Sequence, residues 1–268
     1  MSPNRLFSWL FFAVVLISTF GAAESTDCGN PVLIVADGRQ TNSTFAQGTS
    51  NWYGIYASAG HSYSVEFVPP ADNFATTPKV IFVTIGAINV FAPSDLQAGC
   101  QGRSSVVVAD TSAASPALFR SGIGMGHRVS FTASGGGLYL IKVVNYGGMG
   151  SYTFRAVDTT MFSQRWSTFG GYDNHWGFLN VSDVPISGVL TVFDNLGNLV
   201  AAAQIYLPVG NVRLKFSFPS DMNLPRNDAG FVMFSHNGPP GSVMADAYMA
   251  NLNLNIVFPS RFETRSPQ

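Results

Sequence analysis

Residues 137–158 read GLYLIKVVNYGGMGSYTFRAVD, and this stretch decides the fold class. Tyr139, Ile141 and Val143 alternate with Leu140, Lys142 and Val144, the two-residue period of a strand. Tyr152, Phe154 and Ala156 alternate with Thr153 and Arg155 in the same way. Between them Asn145–Gly150 reads as a turn, because glycine reaches positive φ without a Cβ clash. The stretch therefore predicts an antiparallel hairpin with aromatic side chains on its core face. It closes one β-domain, and a boundary is expected between Asp158 and Met161.

Upstream, the same period recurs. Val32–Ala36 is a short apolar strand and Asp37–Ser50 a polar loop. Asn51–Ala57 reads as a strand that turns at Ser58-Ala59-Gly60, and Tyr63–Phe67 returns from it. Val80–Ile85, Ser105–Ala109, Ala117–Phe119 and Arg128–Ala133 follow as shorter strands. Downstream, His175–Asn180, Gly188–Phe193, Leu199–Tyr206, Val212–Phe218, Gly230–Ser235 and Val243–Asn251 are strands separated by turn-forming residues. Six or seven short strands over about 100 residues predict a sandwich of immunoglobulin-like size. The expected fold is all-β: two tandem antiparallel β-sandwiches, residues 27–158 and 159–262, then a polar tail, 263–268.

The N-terminus predicts export. Arg5 precedes an apolar run of about fifteen residues, Leu6–Phe20, and Gly21-Ala22-Ala23 supplies small residues at a cleavage site. Residues 1–23 read as a signal peptide, with the mature chain starting at Glu24 and carrying no membrane span. About 245 residues remain, enough for two ordinary domains. Only 11% of the chain is charged, which disfavours long surface helices. Without Arg5 the formal count is 13 basic against 15 acidic residues, and no basic stripe occurs, so nucleic acid is a poor partner. The expected partner is neutral: a glycan or an extracellular protein surface. Cys28 and Cys100 are the only cysteines, and an oxidising destination pairs them. On the chain-entropy model that bridge contributes roughly 4 kcal/mol by closing a loop of about seventy residues.

Two segments carry a family resemblance. Residues 51–67, NWYGIYASAGHSYSVEF, and 135–157, GGGLYLIKVVNYGGMGSYTFRAV, resemble the bacterial pre-peptidase C-terminal domain. That domain is a jelly-roll-like β-sandwich appended to many secreted proteases and surface proteins. Asn51 stands where the family usually has Asp, and no D-x-x-G turn follows the central strands, so the calcium site of some members is not carried over. Residues 188–200, GVLTVFDNLGNLV, with 206–211, YLPVGN, resemble bacterial immunoglobulin-like surface domains. The resemblances imply an extracytoplasmic role and no particular ligand.

A search for chemistry yields no catalytic or metal-binding set and no cofactor motif. The four histidines are scattered, without H-E-x-x-H or ligand spacing, and His61 and His236 fall in predicted turns, where a solvated ring is expected. No G-x-S-x-G occurs, and Gly122–Gly126 lacks the helix a phosphate cradle requires. Asp221 and Asp228 flank a loop without a calcium pattern. One cluster stands out: Trp166, Phe169, Tyr172, Asn174, His175 and Trp176, aromatics mixed with amide and imidazole groups. Flat faces plus polar donors suit ligand binding, whereas indoles are largely buried on average, which favours core or interdomain packing for Trp166 and Trp176. The expected function is non-catalytic binding or adhesion outside the cytoplasm. A secreted hydrolase with carboxylates in a sandwich cleft, and a self-assembling surface component, are the alternatives. Asn42-Ser43-Thr44 and Asn180-Val181-Ser182 are glycosylation acceptor patterns, relevant in a eukaryotic host.

Overall fold

A computed structural model describes residues 26–45, 49–68, 84–93, 107–110, 127–147, 150–216, 221–251 and 253–264. The expected signal peptide, Cys100, the Ala117–Phe119 strand and the Gly122–Gly126 run lie outside the described residues. Cys28 is disulfide-bonded. No described helix is long and apolar enough to cross a membrane. The chain is all-β, with a 3₁₀ turn at Phe169–Gly171.

Among the described residues nine strands precede residue 159: β1 Val32–Ile34, β2 Thr41–Phe45, β3 Ser50–Ala57, β4 Ser62–Val68, β5 Thr84–Phe91, β6 Val107–Asp110, β7 His127–Thr132, β8 Gly137–Gly147 and β9 Gly150–Asp158. They form a five-stranded sheet, β1-β3-β8-β5-β6, and a four-stranded sheet, β2-β9-β4-β7. The expected hairpin is not there. β8 and β9 belong to different sheets, as do β3 and β4, and the link 58–61 crosses from one sheet to the other. The physical reason is that alternation specifies which face is apolar but not which strand lies alongside. Tyr139, Ile141 and Val143 point inward from one sheet, and Tyr152, Phe154 and Ala156 from the other, all fully buried. Aromatic contacts span the gap: the Tyr53 and Phe154 rings stack at 4.3 Å, and Phe131 and Tyr139 at 5.4 Å.

Two further corrections concern this unit. β2 lies inside the expected polar loop. Its Ser43 points into the core, where Asn51 Nδ2 reaches Ser43 Oγ, the Thr44 carbonyl and the Tyr152 hydroxyl, so a polar strand is tolerated because its inward group is bonded. β1 pairs with β3 in parallel, in register Val32↔Tyr53, while the other described pairings are antiparallel.

The rest of the chain supplies β10 Met161–Ser167, β11 Asp173–Asn180, β12 Ile186–Asp194, β13 Leu199–Leu207, β14 Val212–Phe216, β15 Ala229–His236, β16 Val243–Asn251 and β17 Ile256–Thr264. These make one eight-stranded sheet in the order β13-β12-β15-β10-β17-β16-β11-β14. β17 folds it over, because residues 256–261 pair with β16 while residues 262–264 pair with β10. The two halves enclose a second core of Trp166, Trp176, Phe178, Leu190, Val192, Val232, Phe234 and Phe262. Residues 263 and 264, expected in the tail, are strand residues, because Glu263 and Thr264 continue the ladder opposite Phe162 and Met161. Gly230 permits the closest backbone approach: a Cβ there would fall on the Phe193 carbonyl and within 2.8 Å of Asp194.

No described strand of the first unit pairs with one of the second. They meet at a buried polar seam. Ser62 donates its N–H to Thr160 Oγ1 at 2.8 Å, its carbonyl accepts from Thr159 N, and its hydroxyl accepts from Thr159 Oγ1 at 3.0 Å and from His236 N at 3.1 Å. Ser235 Oγ donates to the Gly60 carbonyl. Beside them His61 Nδ1 lies 2.8 Å from Asp158 Oδ2, and its ring packs 5.4 Å from Phe162. His236 is the end of β15 rather than a solvated turn residue, and burial lowers its pKa to about 4.

Candidate functional site

The six residues singled out in the sequence do not converge on one surface. Trp166 is fully buried, and its indole N–H donates to the Phe193 carbonyl at 2.7 Å. Trp176 is 1% exposed and packs in the same core. Neither offers a ring face to a ligand, which corrects the expectation for both. The stretch is not a loop: β10 and β11 flank a single 3₁₀ turn, and strand alternation aims both indoles inward. Asn174 is also buried. Its Oδ1 accepts from Ser167 N and its Nδ2 donates to Ser167 O, both at 3.0 Å, so it pins the two strand ends together.

The remaining three are accessible. Phe169 is 53% exposed, on the 3₁₀ turn that Asn251 holds by donating Nδ2–H to the Gly170 carbonyl at 2.7 Å. Tyr172 is partly exposed and lies 5.8 Å from the Phe258 ring. His175 is on the outer face of β11, opposite Tyr248 of β16, and the two rings stack at 4.5 Å with a 15° tilt. Its Nε2 lies 3.5 Å from Asp173 Oδ2.

That outer face is what the reading of single residues missed. Across β14, β11, β16 and β17 the register places Val212 beside Leu179 and Met244, and Leu214 beside Gly177, Asp246 and Arg261. His175, Tyr248 and Pro259 form the next row, and Val257 lies opposite Ala250. Met244 and Val257 are 62% and 60% exposed, and Val212 and Leu214 just over half. Gly177 carries no side chain, and the Asp246 carboxylate lies over it. The result is an apolar surface with a stacked ring pair and one acid–base cross-strand pair, Asp246 and Arg261. The signal was present in the sequence. Counting by twos from Asp173 separates His175, Gly177 and Leu179 from Asn174, Trp176 and Phe178.

No three His, Cys, Asp or Glu side chains among the described residues converge to hold a metal ion. The His61–Asp158 pair has acid–base geometry, but its side chains are only 13% and 8% exposed. Both residues belong to the first unit, and the pair lies at the seam, where the His61 ring packs against Phe162.

No protein-family profile matches the chain, and no curated protein matches it. Among solved structures, the full extracellular region of zebrafish Gpr126/Adgrg6 aligns at 10% identity over 86% of this chain and 38% of that one, with a TM-score of 0.27. A glycosyl hydrolase family 2 member from Bacteroides cellulosilyticus aligns at 10% identity, 81% and 28% coverage, and a TM-score of 0.22. A Bacteroides uniformis β-glucuronidase aligns at 11% identity, 81% and 26% coverage, and a TM-score of 0.20. The chain thus spans well under half the length of each of these three structures. At these scores the likenesses carry no argument about activity.

Proposed function

We propose that this chain is an exported, non-catalytic binding or adhesion module whose contact surface is the outer face of β14, β11, β16 and β17. The observation that supports it is the exposure of Val212, Leu214, Met244 and Val257 on one side of adjacent strands. Side chains of this kind gain free energy when a partner removes them from water, and contiguous exposed apolar surface marks interaction sites. A protein surface fits this face better than a sugar. Aliphatic groups supply burial but few of the hydrogen bonds that a hydroxyl-rich ligand requires. The chain's small net charge, −1 by formal count, suits a partner held by shape and burial rather than by electrostatic steering.

The test is an array of extracellular proteins and glycans probed with the mature chain, repeated with Leu214→Glu and Met244→Glu. Both side chains are exposed, so folding stability should change by no more than about 0.5 kcal/mol while binding is lost. Retained binding in both variants overturns the assignment of the face. A second reading, assembly with further copies of the chain, is supported by the same face. Sedimentation of the mature protein over a concentration series separates it from binding to another molecule.

A further inference from the structure

The chain carries two Asn-x-Ser/Thr patterns, at Asn42-Ser43-Thr44 and Asn180-Val181-Ser182, and the structure treats them in opposite ways. Asn180 is fully buried. Its Nδ2 donates to the Val184 carbonyl at 2.8 Å and to the Leu207 carbonyl at 3.0 Å, and its Oδ1 accepts from both the N–H and the hydroxyl of Ser182. The whole acceptor pattern is consumed in holding a turn. Asn42, by contrast, is exposed on β2, the edge strand of the four-stranded sheet, while the alternation of the strand sends Ser43 into the core. Its one described side-chain contact is an exposed hydrogen bond from Thr153 Oγ1 to Asn42 Oδ1 at 3.4 Å, which leaves Nδ2 pointing to no described protein acceptor.

We propose that Asn42 is an N-glycosylation site when the chain passes through a eukaryotic secretory compartment, and that Asn180 is not. The glycan donor is a lipid diphosphate-linked oligosaccharide. Asn42 Nδ2 gives up one proton and forms the bond to the sugar's anomeric carbon. The bond from that carbon to the diphosphate oxygen breaks, and the lipid diphosphate leaves with the electron pair. The same reaction at Asn180 removes a donor proton from a site with no room for a sugar, so a chain modified there cannot complete its turn. The structural gain at Asn42 is local: among the described strands β2 pairs with β9 alone, and a bulky polar group beside its other edge hinders pairing with a strand of another molecule. This inference is independent of the proposed contact face, which belongs to the second unit.

The experiment is secretion of the full chain from glycosylating eukaryotic cells, followed by treatment with a peptide N-glycosidase in heavy-oxygen water and peptide mass spectrometry. The expected result is conversion of Asn42 to a heavy-labelled Asp and an unaltered Asn180. Asn42→Gln and Thr44→Ala, the second of which keeps Asn42 itself, should both remove the electrophoretic shift while melting as the deglycosylated wild type does. An unlabelled Asn42 in the secreted protein overturns the proposal, and so does a labelled Asn180 or a shift that survives in both variants.

Discussion

His236 donates its backbone N–H to Ser62 Oγ at 3.1 Å, a bond between residues 174 apart in sequence that crosses the seam between the two units. The imidazole that follows is buried, with Nδ1 accepting from Gly238 N at 3.1 Å, and its pKa is lowered to about 4 by desolvation. Above the unfolded-state value of roughly 6.5 neither state binds the proton, and stability is flat. As pH falls below that, the unfolded chain takes up a proton that the native state refuses. Stability drops until about pH 4, by a total on the order of 3 kcal/mol. Denaturant midpoints of wild type and His236→Asn between pH 7.5 and pH 4.5 test this. The wild-type slope should be the steeper, and parallel slopes would sink the assignment.

Ser62→Ala should destabilise the protein by about 1–3 kcal/mol, because it leaves the buried His236 N–H and Thr159 hydroxyl without their acceptor. Equilibrium unfolding measures it. A loss below about 0.3 kcal/mol would mean that solvent reaches these donors and the seam is open.

Separate sheets and separate cores predict that each unit folds alone when the chain is divided between Asp158 and Met161. Each fragment should melt cooperatively with β-type circular dichroism, at a lower temperature than the whole because the seam is lost. Two unfolded fragments would mean that the units form a single cooperative domain.

Trp166→Ala and Trp176→Ala should each cost about 3–5 kcal/mol, the range for emptying a large aromatic site in a core, and Phe169→Ala less than about 0.5 kcal/mol. Guanidinium unfolding curves decide. A tryptophan variant of near wild-type stability would return that residue to the ligand candidates.

Gly230→Ala tests close backbone packing rather than side-chain loss. The added methyl meets the Phe193 carbonyl and the Asp194 backbone, neither of which is a flexible side-chain end. Overpacking of this kind costs about 1–3 kcal/mol or more, so expression and melting temperature should both fall.

The sequence made the strand positions legible because alternation is a local property: β3, β4, β7, β12, β13 and β16 lie within a residue or two of where it places them. Pairing is not local. Tyr139 and Tyr152 sit on strands that follow one another in the chain yet point into one core from different sheets, since the alternation of each strand is silent on its neighbour. β10 and β17 escaped notice because Ser163, Arg165 and Pro259 dilute their apolar pattern. Ser163 is tolerated because its hydroxyl lies 2.9 Å from Ser260 Oγ, a bond between the same two strands. The indoles of Trp166 and Trp176 were visible as large aromatics, but only the phase of their strands shows that they point inward. His236 carried no sequence signal of burial, and the acceptor of its backbone N–H, Ser62 of β4, is 174 residues away.

β17 sets an order of events. Met161, near the start of the second unit, finds a ladder partner in Thr264. A ribosome or export channel releases the chain N-terminus first, so β10 must wait until roughly a hundred further residues have emerged before its second neighbour exists. The first unit's described strands are all synthesised by Asp158 and can assemble during that interval. Until β17 emerges, the half-made second unit therefore lacks Phe262, whose ring packs 5.3 Å from that of Phe178 in its core.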